Sequence, residues 1–188
     1  MLNLAKAQEI LHKHVTEPHL LNHALAVSCA MGALADFFGE DAEYWRAIGY
    51  LHDVDFEKFP AEHLQHAREL LEPEGLAEAD IRAILAHGWG LCYDVEPISN
   101  LEKSLYAVDE LTGIVMATAL MRPTGIADLE VKSVNKKFKD KRFAAKCNRE
   151  VIRAGCELLG LELDQLMALT IKGMQSEAAA LGLEPREG

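Results

Sequence analysis

With 188 residues, 49% of them hydrophobic and 26% charged, the chain has the length and balance of one soluble globular domain, which excludes a disordered polymer. Its net charge of −11 argues against general nucleic-acid binding, because phosphate contacts dominate that affinity. Met1 to Val15 reads as a mixed-charge amphipathic helix rather than a leader, and the longest weakly polar stretch, Ala24 to Ala35, is too short to span a bilayer, so a cytoplasmic protein without membrane contact is expected.

The first helix should run from Asn3 or Leu4 to Val15, before Thr16-Glu17-Pro18 breaks it. His12 and His14 read as surface residues, since no apolar run encloses them. Leu20, Ala24, Val27, Met31, Leu34 and Phe38 recur at steps of three and four, predicting an amphipathic helix over 19–38 closed by Gly39. His23 borders this stripe. Glu40-Asp41 begins the next helix, whose apolar run Ala47 to Leu51 ends in adjacent His52 and Asp53. An imidazole nitrogen and a carboxylate oxygen placed so are half of a borderline-metal ligand set, and a buried carboxylate without a partner is costly.

Ala61 to Leu71 reads as a helix carrying His63 and His66 on nearly one face, ended by Pro73 and Gly75. Leu76 to His87 reads as another, with Ile81, Ile84 and Leu85 apolar and His87 pointing coreward ahead of Gly88-Trp89-Gly90. After a loop from Asp94, Ser99 or Asn100 can cap a helix in which Leu101, Leu105, Val108, Thr112, Val115 and Ala119 share a face to about Met121. Asp109 joins that face, where a carboxylate is expensive unless it meets a cation. Glu110 reads as a surface or supporting acid.

From Lys132 to Arg149 there are eight Lys or Arg and one acid, so this segment carries +7 and the remainder −18. It is either a solvated helix pair or a set of cations, Lys136, Lys137 and Lys139 among them, that draws a phosphorylated substrate. Phe143 to Leu159 and Leu163 to about Leu181 read as packing helices separated by Gly160, with self-association as a further use, and Pro185 to Gly188 should fray. Cys29, Cys92, Cys147 and Cys156 show no CxxC spacing and read as small hydrophobes. The expected architecture is all-α, one bundle of about seven to nine helices over 1–188, with a core at 19–121 and C-terminal helices over 131–182 packed on it.

The order of His23, then His52-Asp53, then Asp109 on a helical chain resembles the HD superfamily of metal-dependent phosphohydrolases over residues 19–121. The resemblance implies a first metal site of His23, His52, Asp53 and Asp109. In dinuclear members a histidine, then a small residue four places on, then an aliphatic pair aim an imidazole at a second metal; His63, Ala67 and Leu70-Leu71 fit. His63 is therefore preferred to His66, which is left as a contact to a ligand or to substrate. His87 matches the histidine ending the following helix, and Asp53 with water would bridge the ions. Many members continue with a hydrophobic residue, glycine and lysine, where this chain has Val54, Asp55 and Phe56. Lys58, two places later, either supplies that cation to the substrate phosphate or is an ordinary solvated lysine.

The chemistry so implied is hydrolysis of a nucleotide or other small phosphoester, with Asp53 and Lys58 catalytic, by water activated on one or two divalent ions. Nitrogen and oxygen donors without thiolate suit manganese, iron, nickel, cobalt or zinc. The same six ligand types serve family members that use two irons to oxidise a small substrate. A non-catalytic domain that binds a ligand and signals through a partner is the third reading.

Overall fold

The computed structural model describes residues 2–186, which form nine α-helices and no strand. They are α1 (Leu4–His14), α2 (Pro18–Phe38), α3 (Ala42–Leu51), α4 (Ala67–Leu71), α5 (Glu78–Leu85), α6 (Asn100–Leu120), α7 (Val131–Lys139), α8 (Arg149–Leu159) and α9 (Leu163–Gln175). The starts are set by side chains that accept free first-turn amides: Asn3 from Lys6 at 2.9 Å, Asp41 from Glu43 and Tyr44, Asn148 from Glu150 and Val151. Of the two caps expected, Ser99 is the one used, and it and Glu102 cap α6 reciprocally.

Helix α2 is the hub, packed against α3, α6 and α9, while α8 lies along α6. By length and composition α2 is also apolar enough to cross a bilayer, which corrects the expectation that no stretch is. Most of that apolar surface is instead covered by its neighbouring helices, from Ala24 through Ala35. Close approach of α8 to α6 needs a residue without a Cβ at Gly155, where an added one would stand 2.7 Å from the Ala107 Cα.

Several boundaries differ from those the periodicity predicts. The helix expected over 61–71 is a 3₁₀ turn at Pro60–Glu62, an irregular stretch, and only then α4. Leu64 adopts φ 68° with its side chain fully buried, so burial of that side chain and the neighbouring turns override helical propensity there. His63 and His66 therefore do not share a helix face. The helix expected from Phe143 begins only at Arg149, because Asn148 caps it and the preceding carbonyls are turned onto the Arg149 guanidinium. The last helix ends at Gln175 and continues as turns. Of the end expected to fray, Arg186 is held by its N–H to Pro123 O at 2.9 Å, and Glu187 and Gly188 lie outside the described residues.

His12 is exposed as expected, but His14 is half-buried against Lys58. Cys29 and Cys156 are buried, Cys147 partly, and Cys92, against expectation, stands exposed on the loop after His87. Burial raises the pKa of every thiol, to about 11 for Cys29, Cys147 and Cys156.

Substituting Gly155→Ala forces α8 away from α6 and is expected to cost about 1–3 kcal/mol, the usual price of overpacking, read as a lower midpoint in urea denaturation. An unchanged midpoint would show that the helices yield without cost.

Candidate metal centre

Six residues separated in sequence converge. Helix α2 supplies His23, the end of α3 supplies His52 and Asp53, the turn before α4 supplies His63, the 3₁₀ turn after α5 supplies His87, and α6 supplies Asp109. The Asp53 carboxylate lies at the middle. Its Oδ2 stands 3.3 Å from His52 Nε2 and 3.7 Å from His23 Nε2, and its Oδ1 stands 3.3 Å from His63 Nε2 and 3.6 Å from His87 Nε2. Asp109 Oδ1 closes the first half, 2.9 Å from His23 Nε2 and 3.4 Å from His52 Nε2. Two overlapping groups can each hold an ion: His23 with His52 and Asp109, and His52 with Asp53 and His87.

The imidazoles are oriented from behind. His52 Nδ1 donates to the Gly49 carbonyl at 2.8 Å and His87 Nδ1 to the Ile84 carbonyl at 2.6 Å, which leaves each Nε2 lone pair facing inward. His63 Nδ1 donates to Asp55 Oδ1 at 3.0 Å. These tautomers bring His52 Nε2 within 3.2 Å of His23 Nε2, and His63 Nε2 within 3.2 Å of His87 Nε2. Nitrogen lone pairs that close repel unless a proton or a cation lies among them. Among the described residues, no Lys or Arg stands within ion-pair distance of Asp53, Asp55 or Asp109. A divalent cation fits this donor set, because among the described residues only the histidines themselves, and no Lys or Arg, face its carboxylates.

His52 and His87 are buried, whereas the side chains of Asp53, His63, Asp109 and His23 remain 15–27% exposed, so a small molecule can reach the rim. Burial works against a charged His52 more than any one neighbour favours it, yet Asp53 and Asp109 together hold its pKa well above the usual imidazole value. Burial likewise pulls Asp53 and Asp109 upward, and the histidines beside them outweigh it and hold both well below the carboxylate range. Burial, then Asp109, raises Glu110, whose Oε2 accepts the Asn148 N–H at 3.0 Å and so ties the segment before α8 to α6.

Four further residues expected at the site from the sequence stand elsewhere. His66 stacks on Phe59 with ring centroids 3.9 Å apart and faces Glu62 and Glu69, so only its backbone N–H, 3.3 Å from Asp55 Oδ2, serves the centre. Lys58 Nζ meets His14 Nδ1 at 3.2 Å and touches none of the six. Lys136 and Lys137 lie on the last turn of α7, Lys137 over the Phe143 ring. Asp55 is the residue that sequence reasoning missed, having been noted only where a glycine is usual. It is wholly buried and aims His63. An acid between Val54 and Phe56 carried the same signal as Asp109 among its leucines and valines.

The HD domain family model matches residues 20–114, half of the chain. This chain belongs to the HD domain family. No curated protein and no solved structure matches it significantly. HD domains form a superfamily of metal-dependent phosphohydrolases, and both groups of this one that could hold an ion lie within the matched span.

Two outcomes are expected of this HD centre. Asp55→Asn, which fills the same space, should weaken metal bound through His63 and His87 by about 10–100-fold and leave metal bound through His23 and Asp109 unaffected, read by titrating metal into chelator-treated protein. Equal weakening of both ions, or of neither, would remove Asp55 from this role. The second concerns pH. The His52 contribution to stability is complete below its ordinary value of 6.5 and fades as pH rises through the raised one, whereas those of Asp53 and Asp109 fade only as pH falls through their depressed ones. Metal-free protein should therefore melt lower as pH is raised above neutrality, and the gain in melting temperature from added metal should grow. A gain that shrinks with pH would show that metal and protons do not compete for these imidazoles.

Proposed function

We propose that this HD domain is a phosphohydrolase that cleaves a nucleotide or other small phosphoester, with His23, His52, Asp53 and Asp109 holding one divalent ion and Asp53, His63 and His87 a second. The observation that carries this reading is the placement of the Asp53 carboxylate, one oxygen toward each pair of imidazoles. A divalent ion held there supplies neutralisation of phosphoryl charge and a lowered pKa for water.

The chain's own part is orientation. The Gly49 and Ile84 carbonyls and the Asp55 carboxylate keep the imidazoles turned inward, so the centre need not reorganise as charge builds on the phosphoryl oxygens. Water attacks phosphorus while the bond to the ester oxygen breaks. Asp53 serves as a ligand common to both ions, the attacking water gives up its proton to solvent at the partly open rim, and the departing oxygen takes one from solvent. Lys58 has no part in this proposal, since its ammonium is turned to α1. The same six donors would serve two irons, so oxygen dependence is the discriminating variable.

Inorganic phosphate release from a panel of nucleotides and sugar phosphates, assayed with manganese, iron, cobalt, nickel or zinc under anaerobic conditions, is the test. Release with at least one substrate, reduced more than about 100-fold in Asp53→Ala, is expected. Turnover only in air, with iron, would replace hydrolysis by oxidation, and binding without turnover would favour a regulatory domain.

A further inference from the structure

The segment joining α7 to α8 holds positive charge that the rest of the chain leaves unmatched. Lys139, Lys141, Lys146 and Arg153 stand exposed around a cavity of about 550 Å³, with Phe138, Cys147 and Asn148 in its wall. Among the described residues, no carboxylate comes within ion-pair distance of Lys139, Lys141 or Lys146. The cavity's one acid, Glu150, is engaged by Arg153 at 2.6 Å. Unpartnered ammonium groups gathered in this way repel one another, so the loop that bears them must be held by something other than charge.

What holds it is Arg149. Its five N–H groups donate to five carbonyls of the loop: Nε to Phe138, Nη1 to Ala144 and Cys147, and Nη2 to Asp140 and Phe143. No donor of that guanidinium is left for a ligand. The Asn148 side chain is likewise spent on capping α8, and its N–H on Glu110, the neighbour of Asp109. The loop is thus a frame whose free valence is the set of outward ammonium groups, anchored to α6 through Glu110.

We propose that this cavity binds the condensed phosphate of a small molecule, a diphosphate or triphosphate group. A cavity of this volume suits a small ligand rather than a chain, and a single phosphate would engage only part of a rim with several cations. A long polyanion would meet the −18 carried by the rest of the sequence. Lys139 alone of the three lysines expected to bind substrate lines the cavity, and Lys141 and Lys146 take the place of Lys136 and Lys137. The site does not depend on hydrolysis at the metal centre.

Calorimetric titration of inorganic tripolyphosphate into the full-length, chelator-treated protein at low salt tests this directly. Saturable binding to one site is expected, weakened about tenfold or more in Lys139→Gln/Lys141→Gln/Lys146→Gln, since each charged contact is worth about that factor. Binding should survive in Asp53→Ala and in the charge-matched Lys6→Gln/Lys103→Gln/Lys132→Gln variant. No saturable heat with the parent protein, equal loss in both triple variants, or loss in Asp53→Ala would overturn the proposal. Tighter binding of a single-stranded oligonucleotide than of tripolyphosphate would overturn it in favour of nucleic acid. Phosphate release is scored separately, so failure of this site and failure of the hydrolase reading are distinguishable.

Discussion

Three carboxylates, Asp53, Asp55 and Asp109, are drawn in among four imidazoles without an Arg or Lys to offset them. A domain whose whole stability is about 5–15 kcal/mol cannot carry such a concentration of like charge uncompensated. Protons on the histidines supply part of the answer, and the remaining donors have the chemistry to hold a cation. The backbone irregularities around the centre make sense as ways of turning nitrogen lone pairs toward one carboxylate.

The two halves of the centre are built differently. His23 and Asp109 stand on α2 and α6, two long helices packed against each other in the core. His63 and His87 stand on short turns, where fewer backbone hydrogen bonds fix the chain and side-chain partners must do so. Regular structure therefore places the first half, and hydrogen bonds from Asp55 and the Ile84 carbonyl place the second. His52 and Asp53, at the end of α3, belong to both.

Much of this was legible in the sequence. Periodicity located α2, α3, α5 and α6 to within a few residues, because each presents one apolar stripe to a common core. His23, His52, Asp53 and Asp109 stood out since polar groups on such stripes need a reason to be there. The region from Asp55 to His66 was not legible. Its course is set by a buried leucine at positive φ and a buried aspartate reaching both His63 and the His66 amide, contacts that no periodicity records. The segment before α8 misled for a similar reason: Phe143 to Asn148 has an acceptable helical pattern, and a single guanidinium outcompetes it by taking the carbonyls a helix would use.

That guanidinium has a consequence for how the surface can change over time. Carbonyl groups are common to every residue, so a loop folded by one arginine on five carbonyls asks little of the side chains it turns to solvent. The exposed Lys139, Lys141 and Lys146 are thereby relieved of fixing the loop's conformation, while Phe143, Ala144 and Cys147 stay packed against the core. Lysine at position 149 could not substitute, having three donors on one nitrogen rather than five on a planar fork. A fixed centre beside an interchangeable rim is an arrangement on which new ligand preferences can be drawn while the frame is kept.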